Sequence, residues 1–141
     1  MSLSTLDIGP GQSIACTYSG QPVSQLLQTD GLLALISFDK RCGPGDDPRH
    51  YYCGLPQLDT QPVSEVWYTS GSVESGMDGQ IRYSRSDEML FAARWIPESE
   101  DVDEQRQQVA LGYSQLLSYT QAQGFNAIVR MWNYLGLGIG Q

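Results

Sequence analysis

The sequence holds one lysine, Lys40, and one histidine, His50. One histidine excludes a two-histidine, one-carboxylate iron site within a single chain. Any Ser-His-Asp or Cys-His arrangement has to use His50. Lysine and arginine together number eight against sixteen acidic residues, a formal net charge of −8. A surface so short of positive charge repels a phosphate backbone and an anionic bilayer, so neither nucleic acid nor a membrane is expected as a partner. No apolar run approaches the ~20 residues of a membrane span. Met1-Ser2-Leu3-Ser4 shows neither the basic nor the apolar stretch of a signal peptide, and a cytoplasmic chain is the expectation. Cysteine is sparse and odd in number (Cys16, Cys42, Cys53), which favours reduced thiols over a disulfide framework.

What is present suits one domain: 141 residues, 40% of them hydrophobic, with three tryptophans. Residues 1–62 read as irregular, strand- and loop-rich. Leu32 to Phe38 is a short apolar run between Gly31 and Asp39 and predicts a buried strand. Residues 39–62 carry Pro44, Pro48, Pro56 and Pro62 with Gly43, Gly45 and Gly54, and predict a long loop. Val63 to Ser70 predicts a strand, Gly71, Gly76 and Gly79 predict turns, and Ile81–Ser84 and Glu88–Ile96 predict two more strands.

The spacing of Val102, Val109, Tyr113, Leu116 and Leu117 predicts a helix over about 102–123 with those residues on its buried face and Gln105, Gln107, Gln108 and Gln115 on its polar face. Asp101 is placed to cap its start, with Glu104 three residues on, and Gly124 to end it. Asn126 to Tyr134 is β-branched and aromatic around Arg130 and predicts a central strand, which would make strand, helix and strand a right-handed crossover.

Candidate chemistry is thin. His50, beside Tyr51, Tyr52 and Cys53, reads as a surface-loop histidine. Cys16, Cys42, His50 and Cys53 do not have the spacing of a common zinc site, so no metal is expected. Gly71-Ser72-Val73-Glu74-Ser75-Gly76 lacks the lysine and following helix of a phosphate loop and reads as a turn. Arg82, Arg85, Arg94 and Arg130 fall in or beside predicted strands. Arginine grips carboxylates with a two-pronged fork, so a strand-borne arginine facing a cleft suits a small organic acid; the plainer reading is a salt bridge to one of the many local carboxylates.

Ser86-Asp87-Glu88-Met89-Leu90-Phe91, the long helix, and Arg130-Met131-Trp132-Asn133-Tyr134-Leu135 together resemble the chorismatase family, over roughly residues 63–135. The family pattern often continues with proline where Gly136 stands here. The resemblance implies the N-terminal domain of an enzyme converting chorismate, a dicarboxylate, to hydroxybenzoate or dihydroxycyclohexadiene acids. It implies an α+β, Rid (YjgF)-like fold, a mixed sheet with a long helix on one face, and a second Rid-like domain holding most catalytic residues, absent from residues 1–141. No catalytic residue carries over to this chain. Arg130 and Arg82 are the candidate substrate-binding residues, for a chorismate-like carboxylate. No cofactor is implied, because hydrolysis or elimination of an enol ether can run on general acid catalysis. The alternative is a standalone Rid-like homo-oligomer that binds a small metabolite without catalysis.

Overall fold

The computed structural model describes residues 14–54 and 63–125. Among these residues eight strands and two helices follow one another as β1 (Ile14–Ser19), α1 (Val23–Leu26), β2 (Leu32–Phe38), β3 (Cys42–Pro44), β4 (His50–Cys53), β5 (Val63–Thr69), β6 (Glu74–Asp78), β7 (Ile81–Arg85), β8 (Leu90–Arg94) and α2 (Val102–Ala122). The architecture is α+β. Among the described residues the strands form two sheets, a five-stranded one in the order β1-β5-β2-β4-β3 and an antiparallel meander β6-β7-β8. The larger sheet is mixed: β4 runs parallel to β2, and the other pairings are antiparallel.

The central strand β2 explains itself. Its apolar residues point to both sides, as a strand covered on both faces requires, and Leu32 to Ser37 are all buried. One face gathers Ile14, Ile36, Tyr51, Cys53, Trp67 and, from β8, Phe91; the other gathers Leu32, Leu35 and Val66 with Leu26 of α1. Phe91 meets Tyr51 edge-on with ring centroids 6.4 Å apart, which ties the meander to the larger sheet.

The meander turns on Ser86. Its hydroxyl accepts the N–H groups of Glu88 and Met89, its own N–H donates to Met89 O at 2.9 Å, and it lies 3.3 Å from Thr69 Oγ1 of β5. The Ser-Asp-Glu stretch is thus a side-chain-stabilised turn between β7 and β8.

Helix α2 begins and ends where its caps dictate. Asp101 Oδ1 accepts from the N–H groups of Asp103 and Glu104, satisfying two donors of the first turn. At the other end Gly124 takes φ +89°, its N–H donates to Gln121 O, and Phe125 N–H donates to Thr120 O. That is the double bond pattern of a Schellman motif. Glu104 reaches the Ser99 hydroxyl.

Several expectations are corrected. Residues 39–54 are not one loop, because β3 and β4 lie there. Gly76 is inside β6, where the Tyr83 ring packs against it, rather than in a turn. On α2, Val109, Tyr113 and Leu116 are half-buried as expected, but Val102 and Leu117 are exposed, at 62% and 39%. The residue of α2 that is buried is Gly112. A side chain there would meet Ile96 Cδ1 at 2.6 Å, so the helix sits close on the end of β8 through its smallest residue. Gln105 and Gln115, assigned to the polar face, are half-buried and accept from Ser99 N–H and Arg94 Nε. The predicted strand over residues 126–134, and with it the crossover and Arg130, lies outside the described residues. No helix among the described residues is long and apolar enough to cross a membrane.

Candidate functional site

Among the candidate arginines within the described residues, Arg82 has the most distinctive surroundings. It projects from β7 and is 7% exposed. Its NH2 group donates to the carbonyl oxygens of Gly45 at 2.6 Å and Asp47 at 2.7 Å, and its guanidinium carbon lies 5.1 Å from the centre of the Tyr51 ring. An uncompensated buried cation is costly; here two carbonyl dipoles and an aromatic face offset part of that cost. Nε and NH1 are buried and meet no hydrogen-bond acceptor.

The loop that Arg82 grips is stiffened from within. Arg49 holds the Asp47 carboxylate with both prongs, Nε to Oδ1 at 2.9 Å and NH2 to Oδ2 at 2.8 Å, and also donates to Leu27 O. The Arg49 side-chain hydrogen bonds hold the Asp47 carboxyl below its ordinary range. His50 N–H donates to Asp47 O, and Gly45 N–H to His50 O, both at 2.9 Å. Residues 45–50 therefore form a clamped turn rather than a free loop.

On the other face of the larger sheet runs a buried polar chain. Ser37 Oγ lies 2.9 Å from His50 Nε2 and 2.9 Å from Ser64 Oγ. The register produces it: Ser37 stands opposite Ser64 across the β2–β5 pair, and His50 opposite Leu35, two residues earlier on β2. His50 is 3% exposed, and burial lowers its pKa. Its ring packs at 4.4 Å on Tyr52. This corrects the reading of His50 as a surface-loop residue: parallel pairing to β2 draws it under the sheet face. A serine hydrogen-bonded to a histidine is half of a nucleophilic pair. Here all three side chains are buried, and the second partner of Ser37 is another hydroxyl rather than a group orienting the ring. The arrangement is that of a satisfied polar core.

The remaining candidates fall apart in space. Cys53 and His50 are three residues apart on one strand, so their side chains point to opposite faces. Among the described residues no three His, Cys, Asp or Glu groups converge on a metal-sized site. Arg85 donates to Gln123 Oε1, and Arg94 to Gln115 Oε1 and Trp95 O. Like Arg82, they hydrogen-bond to amide and carbonyl oxygens, not to the carboxylates expected of them. Among the described residues the close ion pairs are Arg41–Asp39 and Arg49–Asp47. An open groove of about 500 Å³ lies between α2 and the β6–β7 turn, lined by Asp78, Gln80, Ile81, Ser114, Gln115, Ser118 and Tyr119. Tyr119 donates to Asp78 Oδ2 at 2.6 Å. The groove's formal charge is negative, so it does not suit an organic acid. Sequence reasoning singled out Arg82 because cations are scarce; Ser37 and Ser64 carry no comparable signal, since strand register brings them together, and Arg49 acts within its own turn, on Asp47.

The family model described as chorismatase FkbO/Hyg5-like, N-terminal, matches residues 65–137, just over half of the chain. A chorismatase from Streptomyces hygroscopicus is 32% identical over 77 residues, which cover 55% of this chain and 22% of that protein. A chorismatase crystal structure superposes with a TM-score of 0.60 at 24% identity, over 82% of this chain and 35% of the other. The match thus spans about a fifth of the length of the curated relative, and the structural likeness shows a shared fold.

Proposed function

This chain belongs to the chorismatase FkbO/Hyg5-like N-terminal family, and from that premise we propose that it acts as the N-terminal domain of a chorismate-transforming enzyme and does not turn over chorismate alone. The family match over residues 65–137 carries the reading. The geometry supports it: the Ser37–His50 pair is sealed in the core, and the Arg82 guanidinium spends its NH2 on the 45–50 turn. The catalytic groups for hydrolysis or elimination of the enolpyruvyl group then lie elsewhere in the parent enzyme, and this domain supports or closes one side of the acid-binding cleft. Within that role a dicarboxylate is held by arginine. Arg82, whose Nε and NH1 are buried without an acceptor, is one candidate, and Arg130 is the other.

The test is direct. The purified chain is incubated with chorismate, and pyruvate release is followed. No release above a protein-free control is expected. Steady turnover by the chain alone overturns the proposal.

A further inference from the structure

Cys42 and Cys53 stand opposite each other across the β3–β4 pair, and their place in the ladder can be worked out. Gly45 N–H donates to His50 O, one of the two bonds of a hydrogen-bonded pair, which sets the phase of the ladder just beyond Pro44–Tyr51; His50 N–H turns instead to Asp47 O. Hydrogen-bonded and non-hydrogen-bonded pairs alternate along an antiparallel ladder. Pro44–Tyr51 is then non-hydrogen-bonded, as a residue without an N–H requires. Gly43–Tyr52 is hydrogen-bonded, and Cys42–Cys53 is again non-hydrogen-bonded. At such a position Cα atoms lie about 4.5 Å apart with side chains on one face, within the roughly 4.4–6.8 Å that a disulfide bridges.

A second observation agrees. The Cys42 side chain lies against the Gly54 backbone, one residue beyond Cys53; a Cβ at Gly54 would be 3.1 Å from Cys42 Sγ. The two thiols differ in access: Cys42 is exposed and Cys53 buried.

We propose that Cys42 and Cys53 form a thiol–disulfide modification site that reacts with small-molecule disulfides of the glutathione type. The Cys42 thiolate attacks one sulfur of oxidised glutathione, forms a mixed disulfide and releases one glutathione thiolate. The Cys53 thiolate then attacks Cys42 Sγ, expels the second glutathione and closes the bridge. Two protein thiols lose two protons and two electrons, and one small disulfide is reduced to two thiols. Partial desolvation of the Cys42 thiol, with Glu98 adding to it, raises its pKa although the residue is exposed, so the first step quickens as pH rises. Closure fastens β3, at the end of its sheet among the described strands, to β4. The clamped turn between them is then shut at its base.

The full chain is equilibrated with glutathione buffers of graded oxidised-to-reduced ratio, quenched with a maleimide and digested with trypsin. Cleavage after Arg41, Arg49 and Arg82 puts the two cysteines on separate peptides, 42–49 and 50–82, so the bridge appears as one linked pair. The expected main product is that pair, with an equilibrium constant about tenfold larger in native buffer than in concentrated urea, because the ladder holds the thiols together. Cys42→Ser abolishes it, and the Gly45 amide exchanges more slowly in the oxidised wild type than in the reduced. A reaction that stops at the Cys42–glutathione adduct, a link through Cys16, or an equal constant in urea overturns the proposal.

Discussion

His50 Nε2 and Ser37 Oγ lie 2.9 Å apart on two parallel strands, both side chains buried. A neutral imidazole suits that place and an imidazolium does not, since burial penalises the charged form. The unfolded chain therefore binds a proton near pH 6.5 that the folded chain refuses, and stability falls as pH drops through that value. Above about pH 7 the contribution is fully present. Each unit of separation between the two pKa values corresponds to about 1.4 kcal/mol.

With His50 the one histidine in the chain, the window from pH 7.5 to 5.5 isolates it from the carboxylates. We expect the urea midpoint to fall across that window in the wild type and to stay nearly flat in His50→Gln. A wild-type midpoint that rises on acidification refutes the assignment.

Removing the Arg82 clasp takes a charged donor from two carbonyl oxygens, leaving that of Gly45 without Arg82 and that of Asp47 with the His50 N–H. Arg82→Gln should lower stability by about 2 kcal/mol, the scale of hydrogen bonds made by a charged group. The His50 amide, which donates to Asp47 O, should exchange faster in that variant. Unchanged exchange would show that Arg49 alone clamps the turn.

Gly112 and Ile96 should couple. Alanine at 112 gains about 1 kcal/mol of helix propensity, but its Cβ would meet Ile96 Cδ1 at 2.6 Å. Gly112→Ala should therefore stabilise the chain more in an Ile96→Ala background than in the wild type, with an interaction energy of about 1 kcal/mol in the double-mutant cycle. Additive effects would mean that Ile96 moves aside freely.

The two neighbouring leucines of α2 should separate. Leu117, 39% exposed, should lose less than about 0.5 kcal/mol on replacement by alanine, as surface positions do. Leu116, half-buried, should lose about 2 kcal/mol. Equal losses in denaturant titrations would show that this helix phase is wrong.

Legibility followed the physics of each element. Strand β2 was readable because seven residues from Leu32 to Phe38 are nearly all apolar and bounded by turn formers. The ends of α2 were readable because Asp101 and Gly124 act locally through their own backbone neighbours. Strand β4 was hidden: His-Tyr-Tyr-Cys follows a proline- and glycine-rich stretch, and its partner β2 is a non-local parallel strand. The phase of α2 was half read, since the closest approach to the sheet is made by a glycine, which no hydrophobic stripe announces. Arg82 stood out by scarcity of cations, yet its partners are main-chain carbonyls, and those leave no mark in a list of side chains.

The order β1-β5-β2-β4-β3 also sets a timetable for synthesis. Ile14 pairs with Thr69 and Ser19 with Ser64, so the first described strand to leave the ribosome cannot dock until the fifth has emerged. The β6-β7-β8 meander instead joins neighbours in sequence and can close as it appears. Non-local pairing is the slow part of folding, and until β5 arrives the apolar β2 has no antiparallel partner. For a nascent chain, that interval is when a chaperone has most to shield.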